Sequence, residues 1–236
     1  MYVDIVIVYA MLGKHYVIIL AAGKGERMRS NELKQFLILG KKPVLIHSFY
    51  AFYNYDKNSV ISVVLPKNKI NYWKNICKKY NFNIKHNIFI GGSTRYESVR
   101  NALKNLNISR NDMVTIHDGV RPFVSKKLIT KTFNSAFKKG HAAPFLNLKD
   151  SLRKFDKEKT NTKSVNRANF IQIQTPQIFR GNIIKEAYKK EKSNKTDDIS
   201  LIESNVKRVN LIKGEQTNLK ITTKEDWFLA NLLIKN

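Results

Sequence analysis

Runs of β-branched and aliphatic residues alternate along this chain with segments whose apolar residues recur at helical spacing, and that alternation limits the possible folds more than any other feature. Residues 16–21 form a compact β-branched run that ends in a glycine-rich turn. Residues 44–55 read as a helix. Residues 60–65 form a second strand, closed by Pro66. Residues 69–80 place Ile70, Trp73, Ile76 and Cys77 on one helical face. Residues 87–90 are a short strand before Gly91 and Gly92. Residues 94–106 bring Val99, Ala102, Leu103 and Leu106 together on a helix. Residues 113–116 are a strand that leads into His117 and Asp118, and Ser125 can cap the helix that follows, to Lys139. This pattern predicts an α/β fold, a mostly parallel sheet with helices on both faces. In that architecture ligands collect at the carboxyl ends of strands.

Residues 149–173 break the rhythm. The segment is polar, lacks a helical period, and has a loop-like centre at residues 157–163. Two short extended pieces within it can pair as a hairpin that projects from the domain, and a long loop in a compact domain is more often functional than idle. The α/β pattern then resumes, with a helix expected at residues 182–190, a strand at 206–212 and a closing helix at 224–234. Residues 1–13 are apolar but lack a basic leading region and a small-residue cleavage site, as a signal peptide would need. They are also too short to span a bilayer. The expectation is an N-terminal extension at residues 1–13 and one domain over residues 14–236, with the projecting arm at about 149–173. No stretch is apolar enough to be transmembrane.

A length of 236 residues is ample for a core, and an apolar fraction of 42% excludes a disordered chain. The single cysteine, Cys77, excludes an internal disulfide framework and a multi-thiolate metal site, and points to a reducing, cytoplasmic setting. The formal net charge of +25 raises the question of a nucleic-acid partner. Lys, Asn and Ile are abundant throughout, however, and the basic residues form no single arm or tail. Lys74, Lys78 and Lys79, or Lys138 and Lys139, sit where helix surfaces are expected, which is the commonest use of such charge. The expectation is therefore no nucleic-acid and no membrane partner.

Three motifs carry the chemistry. Leu20-Ala21-Ala22-Gly23-Lys24-Gly25-Glu26-Arg27-Met28 follows the first strand. Its small residues let backbone N–H groups approach a phosphate. Arg27 can add a planar charged fork, and Lys34 a point charge. The turn lacks the Gly-Lys-Ser/Thr ending of a Walker A loop. The second motif, Gly91-Gly92-Ser93-Thr94-Arg95-Tyr96-Glu97-Ser98, also sits at a strand end and opens a helix. Its backbone groups, Ser93 and Ser98 can read the edge of a base; equally, Ser93 or Thr94 can serve as a helix cap. The third is Ile116-His117-Asp118-Gly119-Val120-Arg121-Pro122. Asp118, at a strand end on the same sheet edge, can hold Mg²⁺, which takes one or two carboxylates plus substrate phosphates; as a bare turn it would be a cap, and Arg121 a structural ion pair. No Ser or Cys nucleophile motif accompanies His117, which reads as structural.

Together, and in this order, the motifs resemble the 2-C-methyl-D-erythritol 4-phosphate cytidylyltransferase family of the non-mevalonate isoprenoid pathway. The resemblance runs from about His15 to the C-terminus. Lys149-Asp150-Ser151, Val165-Asn166-Arg167, Gln174-Thr175-Pro176-Gln177, Thr196-Asp197-Asp198 and Asn218-Leu219-Lys220-Ile221-Thr222 extend it. It implies a Rossmann-like nucleotidyltransferase that uses CTP and a sugar-alcohol phosphate and releases pyrophosphate. By that resemblance Ala21, Ala22 and Gly23 line the CTP phosphate site, and Arg27 and Lys34 stabilise charge on the α-phosphate. Gly91, Gly92, Ser93 and Ser98 hold cytosine, and Asp118 binds Mg²⁺. Arg167 and Lys220 grip the phosphate of the second substrate, which Ser151, Thr175 and Thr196 help to position. The arm would clasp a second subunit in a homodimer, so that Arg167 reaches the partner's active site.

The chain departs from the family's pattern at several positions: Gly119-Val120 stands for the frequent Ala-Ala, Leu33 for a Pro before Lys34, Ser151 for Thr, and Asn166 for Asp before Arg167. None removes a charged group assigned a role. Two alternatives stay open on sequence: the sister ribitol-5-phosphate cytidylyltransferases, which share several of the motifs, and a basic nucleic-acid-binding protein, which leaves the glycine-rich turns, Asp118 and Lys220 without a reason.

Overall fold

The computed structural model describes residues 13–23, 32–189 and 195–235. Residues 1–12 of the expected N-terminal extension and residues 24–31, which include the last five residues of the first glycine-rich motif, lie outside the described residues. Among those described, eight strands form one sheet. Its parallel part is built from β1 (His15–Leu20), β4 (Val60–Leu65), β5 (Asn87–Ile90) and β6 (Met113–Asp118), in the order β6-β1-β4-β5. The β1 residues alternate between two cores. Tyr16 and Ile18 face α3 (Arg95–Lys104) and α5 (Gly181–Lys189). Val17 and Ile19 face α1 (Val44–Tyr55), α2 (Ile70–Lys79) and α4 (Lys126–Lys139). Both faces of the strand are thus buried, which is why it reads as a continuous apolar run and not as an alternating one. Trp73, Phe49 and Phe52 are fully buried in the second core, each worth about 2–3 kcal/mol of apolar burial.

The helices start where the sequence provides caps. Thr94 accepts the Glu97 N–H ahead of α3, and Ser125 accepts the Leu128 N–H ahead of α4. Gly140 ends α4 in the left-handed region, at φ +82°. Thr223 and Asp226 form a capping box on α6 (Lys224–Leu233). Lys74, Lys78, Lys79, Lys138 and Lys139 are all exposed on their helices. No helix among the described residues is long and apolar enough to cross a membrane.

The other side of the sheet is mixed, antiparallel except for its last strand in sequence, which runs parallel to its neighbour. β11 (Gln177–Arg180) lies between β6 and β7 (His141–Asn147), and β10 (Ile171–Ile173) also pairs with β7. A small hairpin of β2 (Ile38–Leu39) and β3 (Lys42–Pro43) precedes α1. Within residues 149–173, β8 (Leu152–Phe155) and β9 (Thr162–Val165) pair with each other as a hairpin in a separate two-stranded sheet, whereas residues 171–173 belong to the main sheet as β10. The strand expected at residues 206–212 is reduced to β12 (Leu211–Lys213), which pairs with Ala143–Phe145 of β7. Just before it Asn210 bonds His141 through both its backbone N–H and its side chain, and pairing begins only past that point.

Candidate active site

The parallel strands bring the three motifs to one edge. Leu20 is level with Asp118 on one side and with Val64 on the other. Leu65 is level with Ile90. The turn at Ala21, Ala22 and Gly23 therefore leaves β1 beside Asp118, and the Gly91-Gly92 turn leaves β5 two strands away. The first turn is fixed from behind by Gln35, fully buried, whose Nε2 donates to the Ala21 carbonyl at 2.7 Å and to that of Gly23 at 3.5 Å. Neighbouring Lys34 is half-buried. Arg27 belongs to the part of this motif outside the described residues.

The second turn is braced by the helix it opens. The Gly92 N–H donates to Ser98 Oγ at 3.1 Å, and that hydroxyl donates to the Thr94 carbonyl at 2.9 Å. Ser93 donates through its backbone and its hydroxyl to Glu97 Oε2, at 2.8 and 2.6 Å. Ser98 is buried and shapes the loop; Ser93 is exposed on its rim. Thr94 caps the helix by accepting the Glu97 N–H, and the same first turn supplies the separate bonds that brace Gly92 and Ser93.

Asp118 is the centre of the charged cluster. Lys220 Nζ stands 2.9 Å and Arg121 Nε 3.3 Å from its Oδ2, and Arg95 Nε is 3.9 Å from Oδ1. Burial on its own would raise the Asp118 carboxyl, but Lys220, Arg95 and Arg121 outweigh it and hold the group well below the usual carboxylate range. Arg121 also donates to the Asn218 carbonyl at 2.8 Å, so the ion pair expected of it ties β6 to the segment that carries Lys220.

Behind Asp118 runs a buried relay. The Asp118 N–H donates to Thr175 Oγ1 at 3.1 Å, and Thr175 Oγ1 lies 3.2 Å from His117 Nδ1. His117 Nε2 lies 3.1 Å from the Arg121 carbonyl. A carbonyl only accepts, so Nε2 carries the proton and Nδ1 accepts from Thr175. Burial pushes the imidazole down to about 4. His117 is thus structural, as the sequence suggested. Thr175, expected to help position the substrate, is buried and bonded on both sides by scaffold.

The remaining sequence candidates are exposed. Ser151 and Arg167 are exposed on the arm, and Arg167 Nη1 donates to the Lys149 carbonyl of its own chain. Thr196 is exposed at the start of the segment that ends in Asp198. Sequence reasoning passed over one pair: Arg95 forms a bidentate bond to the fully buried Asp198, at 2.6 and 2.7 Å. Burial disfavours the Arg95 charge, but Asp198, and then Asp118, keep it firmly protonated. Arg95 lies in the second glycine-rich motif and Asp198 in Thr196-Asp197-Asp198, yet nothing in their spacing signals that they meet.

Comparisons with known proteins point to one family. The family model for IspD, 2-C-methyl-D-erythritol 4-phosphate cytidylyltransferase, matches residues 15–236. The chain is 43% identical, over 221 residues, to the 2-C-methyl-D-erythritol 4-phosphate cytidylyltransferase of Azobacteroides pseudotrichonymphae genomovar. CFP2, across 93% of this chain and 98% of that one. It is 40% identical to the protein of the same name from Phocaeicola vulgatus, across 93% and 99% of the two chains. Among solved structures it is similar to the 4-diphosphocytidyl-2C-methyl-D-erythritol synthase of Anaerococcus prevotii, with a TM-score of 0.79 and 30% identity over 96% of this chain and 99% of that one.

Proposed function

The chain belongs to the 2-C-methyl-D-erythritol 4-phosphate cytidylyltransferase family, and from that premise we infer how its own residues divide the work. It joins the cytidylyl group of CTP to 2-C-methyl-D-erythritol 4-phosphate, giving 4-diphosphocytidyl-2-C-methyl-D-erythritol and pyrophosphate. The relatives give the ribitol phosphate alternative no support. The observation that carries the assignment of roles is the contact of Lys220 with Asp118, at 2.9 Å, beside the turn at the end of β1.

In the proposed mechanism a phosphate oxygen of the alcohol phosphate attacks the α-phosphorus of CTP in line with the departing pyrophosphate. A phosphate monoester has its second pKa at about 6 and is largely ionised near neutral pH. No general base is then needed, and catalysis rests on positioning and charge stabilisation. Ala21, Ala22 and Gly23 offer backbone to the CTP phosphates, and Gly91, Gly92, Ser93 and Ser98 receive the cytosine. Arg27 and Lys34 stabilise the α-phosphate as its charge rises. Lys220 leaves Asp118 for the phosphate of the alcohol substrate.

Asp118 fits the magnesium ion that the family implies. Its carboxyl is kept ionised, and Lys220 and Arg121 occupy Oδ2 while Arg95 stops 3.9 Å short of Oδ1. Magnesium characteristically binds through one or two carboxylates together with substrate phosphates. Bound there, it would neutralise charge on the CTP phosphates and the departing pyrophosphate.

We further propose a homodimer in which the arm completes the partner's site, with Arg167 gripping the alcohol phosphate and Ser151 and Thr196 helping to orient it. The exposed Phe155 and Phe170 support this reading, since they are apolar surface suited to a second subunit. A cytoplasmic location is proposed with it, since the single cysteine, Cys77, is a free thiol.

The test is pyrophosphate release from CTP and Mg²⁺ with 2-C-methyl-D-erythritol 4-phosphate, run beside ribitol 5-phosphate. Release with the first alone, lost on chelation of Mg²⁺, is expected. Release only with ribitol 5-phosphate would overturn the substrate, and persistence in chelator would overturn the role of Asp118.

A further inference from the structure

Arg95 and Asp198 have no part in the mechanism above, yet they join two of its regions. Asp198 is fully buried and held from several directions. Arg95 donates to both its oxygens, the Tyr188 hydroxyl donates to Oδ1 at 2.5 Å, and the Asp198 N–H donates to Gln177 Oε1 at 3.0 Å. Arg95 opens α3 directly after the second glycine turn. Its Nε faces Asp118 Oδ1 at 3.9 Å, beyond hydrogen-bond reach, while Lys220 and Arg121 sit on Oδ2.

A guanidinium is a rigid planar fork, so engaging Nη1 and Nη2 on one carboxylate fixes where Nε can be. Without Asp198 the same charge would be drawn to the carboxylate it already faces, and would cover Oδ1. A buried ion pair contributes little net stability over apolar packing, so stability alone is a poor reason for this one. Resting on the reading of Asp118 as the magnesium carboxylate, we infer that Asp198 is a positioning residue: it holds Arg95 back from Asp118 and keeps Oδ1 open to the divalent cation that arrives with CTP.

The test is calorimetric titration of the full chain with CTP, once with Mn²⁺ and once in EDTA. The parent protein is expected to bind CTP more tightly with Mn²⁺. Asp198→Asn is expected to lose about tenfold of that gain, while its affinity for CTP in EDTA stays that of the parent or rises. The double variant Arg95→Gln/Asp198→Asn has no guanidinium to move, and is expected to recover the gain. Thermal unfolding establishes that each variant is folded. If Asp198→Asn fails to fold, the double variant decides: a kept Mn²⁺ gain supports the inference and a lost one overturns it. Parallel losses with Mn²⁺ and in EDTA would mark a merely structural pair and overturn it. A parent gain kept in full by folded Asp198→Asn would overturn this inference alone. A parent with no Mn²⁺ gain would remove the reading of Asp118, and this inference with it.

Discussion

A Cβ placed on Gly91 would stand 2.4 Å from the Cβ of Ala22, so the glycine-rich turns that follow β1 and β5 meet with no room for one more methyl group. That hypothetical Cβ would also lie 3.2 Å from Ser98 Oγ, the hydroxyl that holds the Gly92 N–H. Gly91→Ala must therefore push the two turns apart. Overpacking of this kind costs about 1–3 kcal/mol, and here it falls on the surfaces proposed to hold CTP. The expected result is a raised KM for CTP, with the KM for the alcohol phosphate little changed. Steady-state kinetics in each substrate checks it. A Gly91→Ala variant with the parent's KM for CTP would mean that this contact does not shape the nucleotide site.

Thr175 gives a second expectation. Its hydroxyl accepts from the Asp118 N–H and donates to His117 Nδ1. Thr175→Val keeps the shape and removes both bonds, leaving a buried N–H without its acceptor, at about 1–3 kcal/mol. A fall in denaturation midpoint and in kcat is expected, because Asp118 loses its backbone anchor. If stability were unchanged and only the KM for the alcohol phosphate rose, Thr175 would be touching substrate after all.

These residues show what was legible in the sequence and what was not. The β1 and β4 runs stand out because strands buried on two faces are uniformly apolar. Thr94 and Ser125 stand out because caps act over three residues. β7 was hidden, since His141-Ala142-Ala143-Pro144 has little β-branched character, and its place depends on β11, β10 and β12 packing beside it. The strand expected over residues 206–212 had the right pattern but found partners only at its end. Asp118 and Lys220 were identified separately, whereas Arg95 with Asp198, and Thr175 with His117, are pairings between distant segments that local patterns do not encode.

Acid should weaken the fold through its buried histidines. Burial pushes His117 down to about 4, and burial also lowers His86 and His141 from their ordinary value of 6.5. The unfolded chain then binds more protons than the native one between pH 6.5 and the lowered values, so stability is held above pH 6.5 and lost as pH falls through that window. For His117 the full loss by pH 4 is about 3 kcal/mol. Urea denaturation at pH 7 and pH 5 should show the drop in the parent, and a smaller drop in His117→Gln. Equal drops in the two would place the sensitivity elsewhere.

Lys220 and Lys34 should fail in different ways. Lys220 is tied to Asp118 and proposed to grip the alcohol phosphate, so Lys220→Ala is expected to raise the KM for that substrate by roughly 10- to 100-fold, the equivalent of about 1.4–2.8 kcal/mol. Lys34, next in sequence to the Gln35 that braces the β1 turn, is proposed to act on charge that grows only in the transition state. Lys34→Ala should lower kcat and leave both KM values close to those of the parent. A Lys34→Ala enzyme with full kcat would remove that role.

The arm decides whether the site is shared between chains. Arg167 is bonded to the Lys149 carbonyl at the base of its own arm, while Lys220 sits beside Asp118 in the body of the domain. If the arm serves the partner's site, each site uses Lys220 of one chain and Arg167 of the other. Arg167→Ala and Lys220→Ala should each be weak as homodimers. Mixed after dissociation, they should regain activity, because one site of each mixed dimer receives both intact residues and the other receives neither. With random exchange half the dimers are mixed, so recovery approaches about a quarter of the parent rate. If both residues act within one chain, every site in the mixture keeps one defect and no recovery follows. Activity against mixing ratio therefore distinguishes the two arrangements without a structure of the dimer.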